Sequence, residues 1–233
     1  MTTNQTETVD TSWKGLYKWG GISALLVGVL FIIAIPLSLA MGPTPSGGEA
    51  ILKYYSGQTT LASSVHGIGI LSDVLFVPVV LALYLALKGV NKNAMLTATG
   101  FGGLFLALDL GVTDIAWIAL TSLSQNYAAA TTDVQRAAYV ATANYALAIG
   151  AVGMTVYSTL ILSIWLLITA VVMLKGIFSR VTAYLGIVTS IAGFVYSISL
   201  FVPALAMSIV IAMVLFAIWL LLAGYRLYNL GKR

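Results

Sequence analysis

The chain contains no cysteine, and only 8% of its 233 residues are charged. The absence of thiols excludes disulfides, thiolate catalysis and cysteine-ligated metals. The shortage of charge excludes an ordinary soluble fold, because soluble domains carry about 25% charged residues and use them to cover their surface. A lipid bilayer surrounds a protein with apolar groups instead. With 60% hydrophobic residues, the composition therefore indicates an integral membrane protein.

Histidine is almost as scarce as cysteine, which limits the chemistry further. The single histidine, His66, excludes the two-histidine H-E-x-x-H motif of zinc proteases and haem ligation by a histidine pair. The G-x-S-x-G motif of serine hydrolases is also missing. We therefore expect no enzymatic activity, no metal and no cofactor. The basic residues fall at predicted helix ends, where they anchor to lipid headgroups, so we expect no nucleic-acid partner.

Six apolar stretches are long enough to cross a membrane, since a helix needs about 20 apolar residues to span a core about 30 Å thick. Residues 181–225 carry no charge at all. As one helix they would be about 68 Å long, so this run must fold back. Pro203 marks the predicted turn, because proline disfavours helix at the residue before it. The predicted spans are 20–41, 61–87, 95–121, 138–174, 181–201 and 204–226.

The distribution of basic residues predicts how these spans are oriented. Six spans place both termini on one side, and only Lys53 and Arg136 fall on the other side. The remaining basic residues share the side of the termini: Lys14, Lys18, Lys88, Lys92, Lys175, Arg180, Arg226, Lys232 and Arg233. Because Lys and Arg accumulate in cytoplasmic loops, we expect both termini to be cytoplasmic. The predicted fold is an all-α, polytopic membrane helical bundle.

No loop is long enough to form a separate domain. We predict a mobile polar N terminus at 1–12 and a single six-helix transmembrane domain at 13–233. Residues 38–40 resemble a signal-peptidase site, but the apolar stretch before them exceeds the usual 7–15 or so residues, so we interpret it as a retained span. Residues 49–55 are expected to form a short helix on the membrane surface. Small residues at 103, 107 and 111 form a face typical of helix packing.

Four ionisable residues lie inside the predicted spans: His66, Asp73, Asp109 and Asp114. A charge near the bilayer centre costs about 2.5–3.5 kcal/mol on insertion scales, so such residues usually face the bundle interior or a watery cavity. The second and third spans share a short loop and are expected to be antiparallel neighbours. Folding this hairpin about its loop sets Asp73 opposite Asp109. It also brings His66 close to Asp114 and Trp117.

The spacing of the two later aspartates adds a further expectation. Asp109 and Asp114 are five residues apart, which corresponds to about 140° around an α-helix. This angle predicts that only one of them points toward the second span. The other is expected to meet another helix or an outer vestibule.

These four residues support a functional hypothesis and a structural alternative. Two close carboxylates cannot both ionise cheaply, and histidine exchanges protons near neutral pH, so the group suits a proton or cation pathway. The best interpretation is a small secondary transporter or a proton- or cation-linked permease. Alternatively, the four side chains only hold helices together through hydrogen bonds, and the protein is a non-enzymatic accessory or scaffold subunit of a larger membrane complex. A cavity that reaches Asp73 distinguishes transport from the dry core of a scaffold.

The lipid bilayer is the expected surrounding of the chain. A membrane-protein partner or a second copy of the chain is expected under the scaffold hypothesis. The two hypotheses share the same helices and differ in what the interior contains.

Short motifs within and beside the predicted spans carry a resemblance to a known family. They are GILSD at 69–73, LALYLALKGVNK at 81–92, LGI at 185–187 and WLLLAGYRL at 219–227. In these motifs the chain resembles an uncharacterised prokaryotic membrane family (domain of unknown function 4386). The resemblance implies about six spans in a prokaryotic cytoplasmic membrane, and it implies no activity. Family members often have Leu-Pro-Arg where this chain has Phe178-Ser179-Arg180. The resemblance singles out Asp73.

Overall fold

The computed structural model describes residues 11–152 and 157–232, and within these ranges the chain is helical with no β-strand. The all-α prediction is therefore confirmed. Most of the N-terminal segment that was predicted to be mobile, residues 1–10, lies outside the described residues. The α-helices are α1 (Lys14–Met41), α2 (Gly48–Ser56), α3 (Thr59–Leu87), α4 (Lys92–Leu108), α5 (Asp114–Ala129), α6 (Asp133–Val152), α7 (Leu160–Met173), α8 (Arg180–Ser197) and α9 (Ser208–Leu230).

Five helical segments of the described residues are long and apolar enough to cross a membrane. They are Lys14–Met41, Thr59–Leu87, Lys92–Ala129, Arg180–Leu200 and Pro203–Leu230. The third of these joins α4 and α5 through a π-helical turn. The fourth predicted span, 138–174, falls on α6 and on the shorter apolar segment Tyr157–Met173. Residues 153–156 between these two segments lie outside the described part of the chain.

Basic residues gather at one end of the bundle, and both described chain ends lie there. A Cβ atom on Gly231 would lie 2.8 Å from the carbonyl oxygen of Lys14. The Lys88 ammonium lies 6.0 Å from the centre of the Trp13 ring. The Arg226 Nε donates to the carbonyl oxygen of Ile177 at 2.9 Å. We call this region, residues 13–18, 87–92, 174–180 and 226–232, the basic end.

The opposite end of the bundle is covered by α2. This helix packs on α5 and α6 and buries Ile51, Leu52 and Tyr55. The backbone N–H of Gly48 donates to Asn144 Oδ1 at 2.6 Å, which fixes α2 to α6. The chain enters α2 through Gly47, whose φ of 93° favours glycine. The short helix predicted at 49–55 is therefore present, and its apolar face is buried against α5 and α6.

The polar face of α2 carries an ion pair. Lys53 Nζ lies 2.7 Å from Glu49 Oε1, and the Tyr127 hydroxyl donates to the same oxygen at 3.1 Å. These two donors hold the pKa of Glu49 below its ordinary value. Burial raises the pKa of the nearby Tyr55 phenol well above its usual range, so that side chain stays neutral.

Glycines on α1 allow close contact with the last helix of the chain. A Cβ atom on Gly21 would lie 2.8 Å from the carbonyl oxygen of Gly224, and one on Gly28 would lie 2.9 Å from the Leu221 side chain. Residues without a Cβ let two helix backbones approach each other. The predicted small-residue face at 103, 107 and 111 is different, because these residues are exposed and are not packed against another described helix.

Gly21→Leu is expected to destabilise the fold, since the added side chain meets the α9 backbone. Overpacking of this kind costs about 1–3 kcal/mol or more. The melting temperature of the purified protein in detergent measures the effect. Gly103→Leu is the matched control, because a Cβ atom on Gly103 meets nothing within 4 Å. Equal melting temperatures for both variants would contradict the close α1–α9 packing.

Candidate functional site

A cavity of about 380 Å³ lies between the α2 end of the bundle and its middle. All the main helices except α6 contribute to its wall. His66 and Asp73 of α3, Asp109 of the π-helical turn and Asp114 of α5 all line it. The four ionisable residues singled out by the sequence therefore face one shared space.

The predicted approach of Asp73 to Asp109 is confirmed. Asp73 of α3 and Asp109 of the turn after α4 line the same cavity, and their carboxyl groups are close enough to interact electrostatically. Two neighbouring carboxyl groups repel each other when both are ionised, which makes the pair a candidate proton site.

Hydroxyl groups complete the surroundings of Asp109. Ser158 Oγ donates to Asp109 Oδ1, and Thr113 Oγ1 lies 3.2 Å from Ser158 Oγ. Both hydroxyl side chains are buried. Ser158 was not predicted from the sequence, because a single serine is common in apolar segments. The only signal in the sequence is that three hydroxyl-bearing residues, Ser158, Thr159 and Ser163, lie close together.

A π-helical turn at Asp109–Thr113 decides where the two later aspartates point. The backbone N–H of Asp114 donates to the carbonyl oxygen of Asp109, an i→i+5 bond that is typical of π-bulges. The wider turn takes up one extra residue, so position 114 lies about one turn above position 109 on the same face. The prediction that only one of them faces α3 is therefore wrong. Asp109 contacts Asp73, and Asp114 Oδ1 lies 4.0 Å from where a Cβ on Gly69 would be.

Aromatic rings surround the part of the cavity nearest α2. The His66 ring lies 5.9 Å from both the Tyr55 and the Trp117 ring, and the latter two are 6.5 Å apart. All three pairs meet edge to face, so the predicted proximity of His66 and Trp117 is confirmed. We call Tyr55, His66 and Trp117 the aromatic cage. His66 Nδ1 of this cage and Asp114 Oδ2 of the cavity wall are buried and have no hydrogen-bond partner among the described residues.

A second aromatic cluster closes the cavity toward the basic end. Phe76 and Trp165 rings are 4.9 Å apart, Trp165 and Trp219 are 5.8 Å apart, and Phe216 stacks on Trp219 at 5.9 Å. All four side chains are buried. Phe76 follows Asp73 by about one helical turn toward the basic end. We call Phe76, Trp165, Phe216 and Trp219 the aromatic plug.

The ionisable groups of the described cavity wall are three aspartates and one histidine. Among the described residues, no lysine or arginine lines the cavity. Nor do the described residues include a group of three or more His, Asp or Glu side chains placed to hold a metal ion. Gly42 and Thr44 line the outer part of the cavity and are exposed, so the space reaches the surface beside α2.

Asn144 does not line this cavity and instead holds α2 in place. No protein-family model, no curated protein and no solved structure matches the chain.

Proposed function

We propose that the protein is a small secondary transporter that moves protons or other cations across a membrane. The observation that carries this proposal is the cavity of about 380 Å³ whose wall contains Asp73, Asp109, Asp114 and His66. An accessory or scaffold subunit needs no such space, and its buried acids would be fully satisfied by other side chains. Here Asp114 Oδ2 has no partner among the described residues, which favours a ligand-binding role.

The exposed surface of the helices supports a membrane setting. Large apolar side chains are exposed along several helices, among them Leu26, Ile32, Val181, Ile191, Ile211 and Ile218. An apolar surface of this extent suits contact with lipid better than contact with water. In the proposed topology α6 and α7 together form a sixth span. The basic end faces the cytoplasm, because Lys and Arg accumulate on that side.

The proposed mechanism uses the carboxyl pair as a proton site and the aromatic plug as a gate. A cation that reaches the pair from the α2 side favours ionisation of both Asp73 and Asp109, and the shared proton is released. The plug keeps the site closed toward the basic end. Passage requires α3, α7 and α9, which carry the plug residues, to move apart in a second conformation.

Asp73→Asn is expected to lower proton flux on the order of a hundredfold, because an amide cannot exchange a proton. The full-length protein is reconstituted in liposomes, and a pH gradient is imposed with a pH-sensitive dye inside. The amide keeps the size of the side chain and can still hydrogen bond to Asp109, so folding is expected to be retained.

Asp133→Asn is the matched control for this experiment. Asp133 is an exposed aspartate at the start of α6 and lies outside the cavity. Its variant is expected to conduct protons like the unmodified protein. If Asp73→Asn folds normally and its flux equals that of Asp133→Asn, the transport proposal fails and the scaffold alternative is favoured.

A further inference from the structure

We infer that the cavity binds an organic monocation with a substituted or quaternary ammonium head. This inference deepens the proposed function, because it names the class of cation that the transporter would carry. It rests on three independent properties of the cavity: the sign of its charge, the composition of its wall and the geometry of the aromatic cage.

The charge of the wall selects a cation. Carboxyl groups of Asp73, Asp109 and Asp114 face the space, and no lysine or arginine of the described residues faces it. An anion placed here would meet three carboxyl groups, with His66 as the only basic side chain among the described wall residues. A neutral ligand would leave Asp114 Oδ2 buried and unpaired, which is costly.

The composition of the wall argues against a bare metal ion. Ca²⁺ takes six to eight oxygen ligands and Mg²⁺ demands six, and the described residues include no group of three or more acidic or histidine side chains placed to hold a metal. Much of the remaining wall is apolar, including Phe31, Phe105, Leu162, Leu166 and Met213. The volume of about 380 Å³ falls within the usual range of small-molecule pockets, about 300–1,000 Å³. The occupant therefore has an apolar body as well as a positive charge.

The aromatic cage gives an ammonium head an aromatic surface beside a carboxyl group. Tyr55, His66 and Trp117 all line the cavity, and their rings pack edge to face with centres 5.9–6.5 Å apart, so an ammonium head would lie against the cluster on its cavity side. Alkylated ammonium groups bind to aromatic ring faces, and tryptophan binds them best. Asp114, three residues before Trp117 on α5, adds a carboxylate on the same side of the helix. Inorganic cations keep their water shell and gain less from aromatic rings.

The test is binding of choline to the purified full-length protein in detergent, measured by isothermal titration calorimetry. The comparison ligands are the neutral analogue in which a carbon atom replaces the quaternary nitrogen, and K⁺ as its chloride. Choline is expected to bind at least about tenfold more tightly than either. Equal affinity for the neutral analogue, or no binding of choline, overturns the inference.

Variants locate the site within the chain. Trp117→Leu is expected to weaken choline binding by about 3- to 30-fold. Asp114→Asn is expected to weaken it by about tenfold or more. Trp19→Leu is the control, because Trp19 is 67% exposed and does not line the cavity, and its affinity is expected to be unchanged. If Trp117→Leu misfolds, Trp117→Phe keeps a ring and is expected to bind within a few-fold of the unmodified protein. Unchanged affinity in both Trp117→Leu and Asp114→Asn overturns the site.

Proton flux in the same preparations separates this inference from the proposed function. If proton flux depends on Asp73 but choline does not bind, the organic-cation site is overturned and the proposal of proton transport remains. Choline binding that depends on Trp117, without any Asp73-dependent flux, supports the site and removes the transport proposal.

Discussion

Trp165→Ala is expected to lower the free energy of unfolding by about 3–5 kcal/mol, the usual cost of removing a large buried aromatic side chain. Trp165 is 1% exposed and contacts both Phe76 and Trp219. It also fits against Gly102 of α4, where an added Cβ would lie 2.9 Å from its ring. The indole of α7 packs against α3, α4 and α9, and filling the space it leaves would require one of these helices to shift. The cavity left by the substitution is therefore expected to persist. Denaturant unfolding in detergent micelles measures the loss.

The same substitution tests whether the aromatic plug closes the cavity. Removal of the indole is expected to extend the cavity into the core, because Leu166 next to Trp165 and Phe216 of the same plug line the cavity. An increased passive proton leak in liposomes is therefore expected. Tyr184→Ala is the control, since it also deletes an aromatic ring but from a side chain that is 58% exposed on α8. A stability loss no greater than that of Tyr184→Ala would contradict the role assigned to Trp165.

Insertion of one alanine after Gly111 is expected to abolish the proposed proton flux. The π-helical turn already takes up one extra residue, and a further residue rotates the part of the helix that follows by about 100°. The residues after the turn, including Asp114 and Trp117, then rotate relative to Asp109. Asp109 and Asp114 then no longer face α3 together. Either the carboxyl pair or the aromatic cage can form, but not the two at the same time. Proton flux in liposomes and choline binding in detergent provide two independent measurements.

Gly111→Ala is the matched control for the insertion, because it keeps the chain length and the space around Gly111 is open to 4 Å. It is expected to retain flux and binding. Size-exclusion chromatography of both variants checks that the insertion leaves a folded protein. A folded insertion variant with full flux would show that the π-helical turn does not position the site.

The pairing of Asp73 with Asp109 could be predicted from the sequence because two simple rules suffice. The loop between α3 and α4 is short, so the helices must be antiparallel, and the rise of 1.5 Å per residue then fixes which positions are level. The same rules placed His66 beside Trp117. Neither result requires knowledge of the rest of the bundle, since hairpin register is a local property.

Other parts of the site could not be predicted, because they depend on packing between distant helices. Ser158 reaches Asp109 from a segment 49 residues away in sequence. The π-helical turn has no residue signature, since Asp, Leu, Gly, Val and Thr all occur in regular helices, and it is stabilised by the contacts on either side of it. The aromatic plug combines rings from α3, α7 and α9, and only their burial distinguishes them from the aromatic residues that are exposed.

The number of membrane spans could likewise be predicted only in part. The charge-free run after Arg180 had to fold back for reasons of length alone, and Pro203 does begin the last long segment. The fourth predicted span is less regular, because a π-helical turn at residues 157–159 precedes α7. The resemblance to the six-span family and the cytoplasmic position of both termini stay predictions.

The close packing of α1 on α9 has a consequence for biosynthesis. Helix α1 buries Gly21, Ala24 and Gly28 against α9, which is translated much later than α1. Contacts so distant in sequence form late, since the intervening chain must be in place before the two helices can meet. Until α9 has been translated, the glycine-bearing face of α1 is therefore without its partner.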